Sequence, residues 1–292
     1  MSQTTIPHVS LGRVTADGVS IFFREAGQRG NPPILLLHGF PASSFQFRDL
    51  IIRLADRYHV FAPDLPGFGF TAVPPERDYD YTFDSLAKTM EAFTDAVGLK
   101  RYAMYIFDFG APTGLRMALS RPDSISAIIS QNGNAYEEGL GLPWATLRKY
   151  WQEETPEMRE VVRQALGADG IRAQYFTGVP QPERIAPESY TLDIALVERP
   201  GNMDIQLDLH LDYRNNLALY PRFHDYFRTH QPPLLAIWGK NDPFFIPAGA
   251  EAFRQDLPKA VIQFVDSGHF ALETHGEEIA SVIRTFLAAN GL

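Results

Sequence analysis

The chain has 292 residues, 45% hydrophobic and 21% charged, which is the composition of a soluble globular protein with a large core, built as one domain or as one domain with an insertion. It contains no cysteine, which excludes disulfides, thiolate metal sites and a cysteine nucleophile and fits a cytoplasmic protein. The net charge of −9 without a basic block argues against nucleic acid and anionic membranes as partners.

The N-terminal half alternates between strand-like and helix-like segments. Residues 1–5 lack a basic stretch followed by an apolar one, so no signal peptide is predicted, and no apolar run is long enough to span a bilayer. Residues 9–15 and 19–25 alternate in polarity around Asp17-Gly18, which predicts an antiparallel hairpin. The next predicted elements are strand 33–37, helix 44–56, strand 59–63, helix 83–97, strand 102–107, helix 112–120 and strand 125–130. Together they predict an α/β fold with a mostly parallel, doubly wound sheet behind the hairpin.

The alternation stops at residues 131–134 and resumes near residue 234. The segment between is rich in proline and aromatic residues, reads as mostly helical and contains no clear buried strand. The predicted elements after it are strand 234–238, helix 248–255, strand 261–265 and helix 277–289. We therefore predict a core of residues 1–134 and 223–292 and an inserted helical cap of residues 135–222.

Three residues suited to covalent catalysis follow predicted strands. Asp108 stands between a strand and a helix, the context of a nucleophile elbow, and Asp242 and His269 follow two later strands. Singly, they could be a helix cap, a turn residue and a structural histidine. In the order nucleophile, acid, histidine at the carboxyl ends of strands, they predict a catalytic triad. A carboxylate nucleophile indicates attack on carbon and an alkyl-ester intermediate.

A predicted turn after the strand 33–37 adds an oxyanion site. In His38-Gly39-Phe40-Pro41 it can aim the backbone N–H of Phe40 at the same point as the N–H of Phe109. A simple strand-ending turn is the other interpretation.

These motifs resemble the α/β-hydrolase superfamily, and specifically its epoxide hydrolase and haloalkane dehalogenase branch, which has an aspartate nucleophile. The motifs that carry the resemblance are residues 38–41, residues 64–69, the Asp108 elbow, residues 239–242 and residues 268–270. The position two before the nucleophile is usually small in this family, and here it is Ile106. The resemblance implies that Asp108 attacks the substrate, that His269 activates a water to hydrolyse the ester, and that Asp242 orients His269.

The two reactions of this branch differ in what stabilises the leaving atom. Epoxide hydrolases use two cap tyrosines, and the resemblance places Tyr150 and Tyr213 there, with Tyr136, Tyr175 and Tyr190 as competitors. Many haloalkane dehalogenases have tryptophan and asparagine where this chain has Phe109 and Phe40, which offer no side-chain donor. Fluoroacetate dehalogenases have an arginine pair where Phe109 and Thr113 stand here, although Trp151 and Tyr213 could match part of their halide cradle.

The favoured hypothesis is a hydrolase that opens an epoxide to a vicinal diol, with a haloalkane or haloacid dehalogenase as the alternative. A non-catalytic homologue that binds a small ligand is a second alternative, and a serine hydrolase using Ser130 is disfavoured because no elbow turn follows that residue. The predicted substrate is a small, apolar-to-amphipathic organic molecule, in a pocket that includes Trp151, Tyr175 and Phe270. No cofactor or metal site is predicted, because a complete glycine-rich phosphate loop and histidines at ligand spacing are both absent. A homodimer is compatible with the sequence.

Overall fold

A computed structural model describes residues 7–292, which form eight strands and eleven α-helices. The prediction of no signal peptide rests on residues 1–5, which lie outside the described residues. The strands are β1 Ser10–Ala16, β2 Val19–Ala26, β3 Pro33–Leu37, β4 His59–Pro63, β5 Tyr102–Phe107, β6 Ile125–Gln131, β7 Leu234–Gly239 and β8 Val261–Val265. The α-helices are α1 Arg48–Leu54, α2 Phe83–Ala96, α3 Gly110–Ser120, α4 Trp144–Glu153, α5 Pro156–Ala165, α6 Ala168–Phe176, α7 Pro187–Val197, α8 Asn202–Asp212, α9 Arg214–His230, α10 Pro247–Asp256 and α11 Ala271–Ala289.

The eight strands form one sheet in the order β1-β2-β4-β3-β5-β6-β7-β8. The hairpin β1–β2 is antiparallel, β2 joins β4 antiparallel, and every later pairing is parallel. The predicted α/β fold is therefore confirmed. The carboxyl ends of β3, β5, β6, β7 and β8 meet at one edge, so the residues that follow these strands are brought close together.

The strands at the centre of the sheet are buried on both faces. Every residue of β5, β6 and β7 is buried, which explains why these strands read as unbroken apolar runs rather than alternating ones. The hairpin, in contrast, alternates in burial and turns at Asp17 and Gly18, which have φ angles of 51° and 73°. Two consecutive positive φ values are what a tight two-residue hairpin turn requires, and the Asp-Gly pair supplies them.

Two predicted helices differ from the observed ones at their ends. The segment 44–56 is a 3₁₀ turn over Ser44–Phe47 followed by α1, which ends at Leu54. The last helix begins at Ala271 instead of residue 277, because a short first segment joins it through a kink at His275, where φ is −125°. Apolar periodicity marks only the long outer part of this helix, so the first turn was missed.

Helices α4 to α9 lie between β6 and β7, and no strand occurs among residues 135–222. Helix α9 runs through the predicted boundary at residues 222–223, so that limit falls inside a continuous helix. The two domain ranges stay a prediction. Within residues 7–292, none of the helices is both long and apolar enough to cross a membrane.

Candidate active site

Asp108 occupies a sharp turn between β5 and α3. Its φ angle is 48°, a left-handed conformation that aspartate tolerates better than most residues, and α3 begins two positions later at Gly110. Two glycines make this turn fit. A Cβ on Gly110 would lie 2.3 Å from the carbonyl oxygen of Leu37, and one on Gly114 would lie 2.7 Å from Cγ2 of Ile106. In the family that the motifs resemble, the residue at position 106 is usually small. Here the larger Ile106 is accommodated because Gly114 on α3 has no side chain.

The predicted backbone donors lie directly at the carboxyl group of Asp108. The N–H of Phe40 donates to Oδ1 of Asp108 at 2.6 Å, and the N–H of Phe109 also hydrogen-bonds to this carboxyl group. Gly39 is required for this approach, because a Cβ there would lie 2.2 Å from Asp108 Oδ1 and 2.5 Å from the nitrogen of Phe109. Two amides at this carboxyl group can stabilise the negative charge that develops there when an ester on Asp108 is attacked.

His269 connects the two carboxylates. Its Nδ1 lies 2.7 Å from Oδ2 of Asp242, and its Nε2 lies 3.8 Å from Oδ2 of Asp108. The first distance is a hydrogen bond, which fixes the proton on Nδ1, while the second is too long for a direct one. Asp242 is held in turn by the N–H of Phe244 on Oδ1 and by the side-chain amide of Asn132 on Oδ2, each at 2.7 Å.

Asn132 is a site residue that the sequence analysis did not identify. It directly follows β6, has a φ angle of 46°, and accepts a hydrogen bond from the N–H of Gly239 at 2.9 Å. It therefore ties β6 to the turn that carries Asp242. The available signal was its position: a polar residue after a buried strand, beside the carboxyl ends of β5 and β7.

Burial sets the charge balance of the site. It raises the pKa of Asp108 to about 6, against the opposing effects of His269 and the amides of Phe109 and Phe40. Burial alone would lower the pKa of His269, but the charges of Asp242 and Asp108 outweigh it and raise that pKa above its usual value. At neutral pH Asp108 is mostly ionised, although burial makes the charged form less favourable. This is the state expected of a reactive carboxylate.

Comparison with known proteins shows the family of this chain. The family model described as the alpha/beta hydrolase fold matches residues 32–276. The chain belongs to the alpha/beta hydrolase fold family. An uncharacterized hydrolase of Saccharomyces cerevisiae is 48% identical over 278 residues, which cover 94% of this chain and 95% of that protein.

Two solved structures share the fold of this hydrolase. The epoxide hydrolase CorEH has a TM-score of 0.79 at 17% identity, and the match covers 97% of this chain and 99% of that one. The haloalkane dehalogenase DatA from Agrobacterium tumefaciens C58 has a TM-score of 0.78 at 21% identity, with 97% of both chains covered. At these identities the likeness shows the fold alone.

A cavity of about 300 Å³ opens onto Asp108 and His269. Its walls are mostly apolar, and it is at the small end of the range of about 300–1,000 Å³ for ligand sites. The residues that line it are Phe40, Asp108, Phe109, Pro143, Trp144, Thr146, Leu147, Val162, Ala165, Leu166, Gly170, Ala173, Gln174, His210, Phe244, Phe245 and His269. His210 was not predicted, since it has no motif around it.

The three predicted pocket residues lie behind this cavity rather than in its wall. Trp151 stacks on Tyr213, with 6.2 Å between ring centroids, and its indole N–H donates to the carbonyl oxygen of His210 at 2.8 Å. Tyr175 stacks on Phe270 with 4.0 Å between centroids. Phe270 in turn packs against His269, so this pair supports the histidine instead of contacting a ligand.

The two predicted cap tyrosines have different surroundings, and neither lines the cavity of this hydrolase. The hydroxyl of Tyr150 accepts a hydrogen bond from Arg159 at 3.1 Å, so it is directed to an ion-paired arginine. Tyr213 packs on Phe109, with 5.8 Å between centroids, and its hydroxyl lies 3.5 Å from that of Tyr220. The structure therefore packs the Tyr213 ring against Phe109, the residue after Asp108, and directs the Tyr150 hydroxyl to Arg159.

Proposed function

We propose that this hydrolase opens an epoxide to a vicinal diol through a covalent ester on Asp108. A carboxylate oxygen of Asp108 attacks one epoxide carbon, the ring C–O bond breaks, and the epoxide oxygen takes up a proton. His269 then removes a proton from a water that attacks the ester carbonyl carbon. The ester bond breaks and His269 returns its proton to the departing alkoxide, which forms the second hydroxyl of the diol. Asp108 is regenerated with one oxygen from the water, and its surplus proton returns to the acid that protonated the epoxide oxygen.

The observation that carries this proposal is the arrangement around the Asp108 carboxyl group. The N–H of Phe40 donates to Oδ1, and the N–H of Phe109 also hydrogen-bonds to the group. His269 Nε2 lies 3.8 Å from Oδ2, and its Nδ1 is hydrogen-bonded to Asp242. A serine hydrolase would need its hydroxyl at this turn. An aspartate there instead forms an ester whose carbonyl oxygen, Oδ1 of Asp108, already accepts from the N–H of Phe40, so the same site serves attack and hydrolysis.

The hydrogen bonds of the two tryptophans weigh against a halide leaving group. The indole N–H of Trp144 donates to the carbonyl oxygen of Phe244 at 2.9 Å, and that of Trp151 to the carbonyl oxygen of His210. A halide leaves as an anion and needs such donors unoccupied. Because Phe40 and Phe109 add no side-chain donor, the dehalogenase alternative has little to bind its product.

We assign the protonation of the epoxide oxygen to Tyr213. Burial raises the pKa of Tyr213 well above its usual value, so the hydroxyl keeps its proton at neutral pH. Among residues 7–292 its one side-chain hydrogen bond is the 3.5 Å contact with Tyr220, in which either hydroxyl can donate, so the Tyr213 proton is available when Tyr220 is the donor. Tyr213 does not line the cavity, and Trp144 packs on its ring with 4.4 Å between centroids, so this assignment requires one of the two side chains to turn when substrate binds.

The test is turnover of matched epoxides and haloalkanes by the wild-type enzyme. Epoxides should give diols, and haloalkanes should release no halide. In ¹⁸O-water with enzyme in excess, the first diol should be unlabelled, because its new oxygen comes from Asp108, and the label should appear in Asp108. Labelled diol in the first turnover would exclude the ester, and halide release without diol formation would favour a dehalogenase.

Two tyrosine variants serve as a matched pair in that test. Tyr213→Phe should slow ester formation by about 100-fold or more, as expected for loss of a general acid. Tyr150→Phe, which removes a hydroxyl bound to Arg159, should leave it within a few-fold of wild type. Equal losses in both variants would contradict the assignment of Tyr213.

The rate of ester formation should rise with pH and reach half its maximum near pH 6, because only the ionised carboxylate attacks and the pKa of Asp108 is about 6. Below this value the rate should fall about tenfold per pH unit, as the neutral acid accumulates. Rapid-quench measurement with enzyme in excess isolates this step from hydrolysis. A rate that stays constant down to about pH 4.5, near the range of an ordinary carboxyl group, would contradict the effect of burial.

A further inference from the structure

His210 contributes a polar atom to the catalytic cavity that the reaction described above does not use. The residue lies on α8, is 5% exposed, and lines the cavity together with Asp108 and His269. Its ring packs against Phe40 and Phe109, each with 4.9 Å between centroids. The backbone amides of these two phenylalanines hydrogen-bond to Asp108, so the His210 ring packs on the same residues that hold the Asp108 carboxyl group.

The proton of the His210 ring has a defined position. Nδ1 lies 2.7 Å from the backbone carbonyl oxygen of Gln206, one turn earlier in α8. A carbonyl oxygen can only accept, so Nδ1 carries the hydrogen. Burial lowers the pKa of His210 to about 4, so the ring is neutral at physiological pH and Nε2 has a lone pair rather than a proton.

Nε2 has no hydrogen-bond partner among residues 7–292. It is not among the fully inaccessible side-chain atoms without a partner, so part of its surface is accessible. Its access is therefore to the cavity that the ring lines. A buried acceptor without a partner disfavours an entirely apolar ligand, because the ligand would remove its water without replacing the hydrogen bond. Gln174, an amide side chain in the wall, offers both donors and acceptors and sets no such requirement.

We propose that His210 is a substrate-binding residue whose Nε2 accepts a hydrogen bond from a hydroxyl group of the substrate, close to the reacting carbon. The cavity then selects hydroxylated epoxides over their ether or hydrocarbon counterparts. This inference deepens the proposed function and rests on it for the reaction, but the binding preference exists whether or not the ring is opened. His210 does not donate to the leaving oxygen, because its single proton is bound to Gln206.

The preference can be measured with ligands that carry no epoxide. Binding of 3-phenylpropan-1-ol and of its methyl ether is compared by calorimetry, since the two differ only in the hydroxyl hydrogen and one methyl group. The alcohol should bind to the wild type about tenfold or more tightly than the ether. His210→Phe, which keeps a planar ring and removes the acceptor, should bring the ratio to about one.

His224→Phe is the matched control. His224 lies on α9, also bonds a backbone carbonyl oxygen through its ring, and is absent from the cavity wall, so its replacement should preserve the ratio. Should His210→Phe not fold, His210→Gln keeps an acceptor and should retain a preference for the alcohol. Similar affinities of the two ligands for the wild type, including no measurable binding of either, would overturn the proposal, as would an unchanged ratio in His210→Phe.

The outcome is separable from that of the proposed function. If the chain turns over no epoxide but binds the alcohol more tightly through His210, the proposed reaction is contradicted and the binding role of His210 is retained. If the chain hydrolyses epoxides but binds the two ligands with equal affinity, the proposed reaction is supported and the inference about His210 is contradicted.

Discussion

His269→Gln is expected to stop the reaction at the alkyl ester on Asp108. The nucleophile and both amides that bind it are unchanged, so the first step proceeds, whereas no base is left to activate the water. Steady-state turnover should fall by at least about 100-fold. Intact-protein mass spectrometry after incubation with an epoxide should show a gain equal to the whole epoxide, because ring opening loses no atom.

The accumulated mass distinguishes the alternatives. A gain equal to an alkyl group without its halogen, seen with a haloalkane instead, would make the chain a dehalogenase. Asp108→Asn should give no gain, and His224→Gln, a histidine outside the cavity, should turn over normally without an adduct. An adduct that survives in Asp108→Asn would place the nucleophile elsewhere.

Asp108→Asn is expected to abolish turnover and at the same time to stabilise the fold at neutral pH. The pKa of Asp108 is raised from 3.8 to about 6 in the folded protein, so the folded state binds this proton more tightly than the unfolded state does. The ionised carboxylate therefore destabilises the fold above about pH 6. This destabilisation decreases as the pH falls and is absent below 3.8, the pKa of the unfolded state. A difference of about 2 pKa units corresponds to about 3 kcal/mol.

Asparagine removes that penalty and tolerates the φ of 48° at this position. Urea unfolding at pH 8 should show an increase of up to about 3 kcal/mol in the free energy of unfolding, shrinking toward zero near about pH 4. Asp242→Asn offers a contrast, because that carboxylate is stabilised by Asn132, Phe244 and His269. A loss of stability in Asp108→Asn at pH 8 would contradict a strained, desolvated nucleophile.

Local patterns predicted much of this architecture. Strand β5, the Asp-Gly hairpin turn and the helical segment between β6 and β7 each have a short-range signal: unbroken apolar residues, a pair suited to positive φ, and the loss of strand periodicity. Helix ends were less accurate where they depend on packing. The first turn of α11 follows His269 and is held against the sheet, which periodicity does not record.

The candidate triad was predictable for a related reason. Asp108, Asp242 and His269 each follow a strand of a parallel sheet, and such strands deliver their carboxyl ends to one edge whatever the rest of the chain does. Asn132 satisfies the same rule and was missed only because an amide is not a catalytic group. Its role depends on a 2.7 Å contact with Asp242 that no spacing encodes.

The cap residues were decided by the tertiary structure. Tyr150 and Tyr213 are both buried tyrosines, yet one hydroxyl meets Arg159 and the other lies beside Tyr220. The direction of a side chain on a helix depends on how that helix rotates and packs on its neighbours, which sequence spacing leaves open. The sequence by itself thus determined the sheet and the order of the residues at its edge, because strand connectivity is local. Only the packed helices decided that Trp144 and His210, rather than Trp151 and Tyr175, face the cavity.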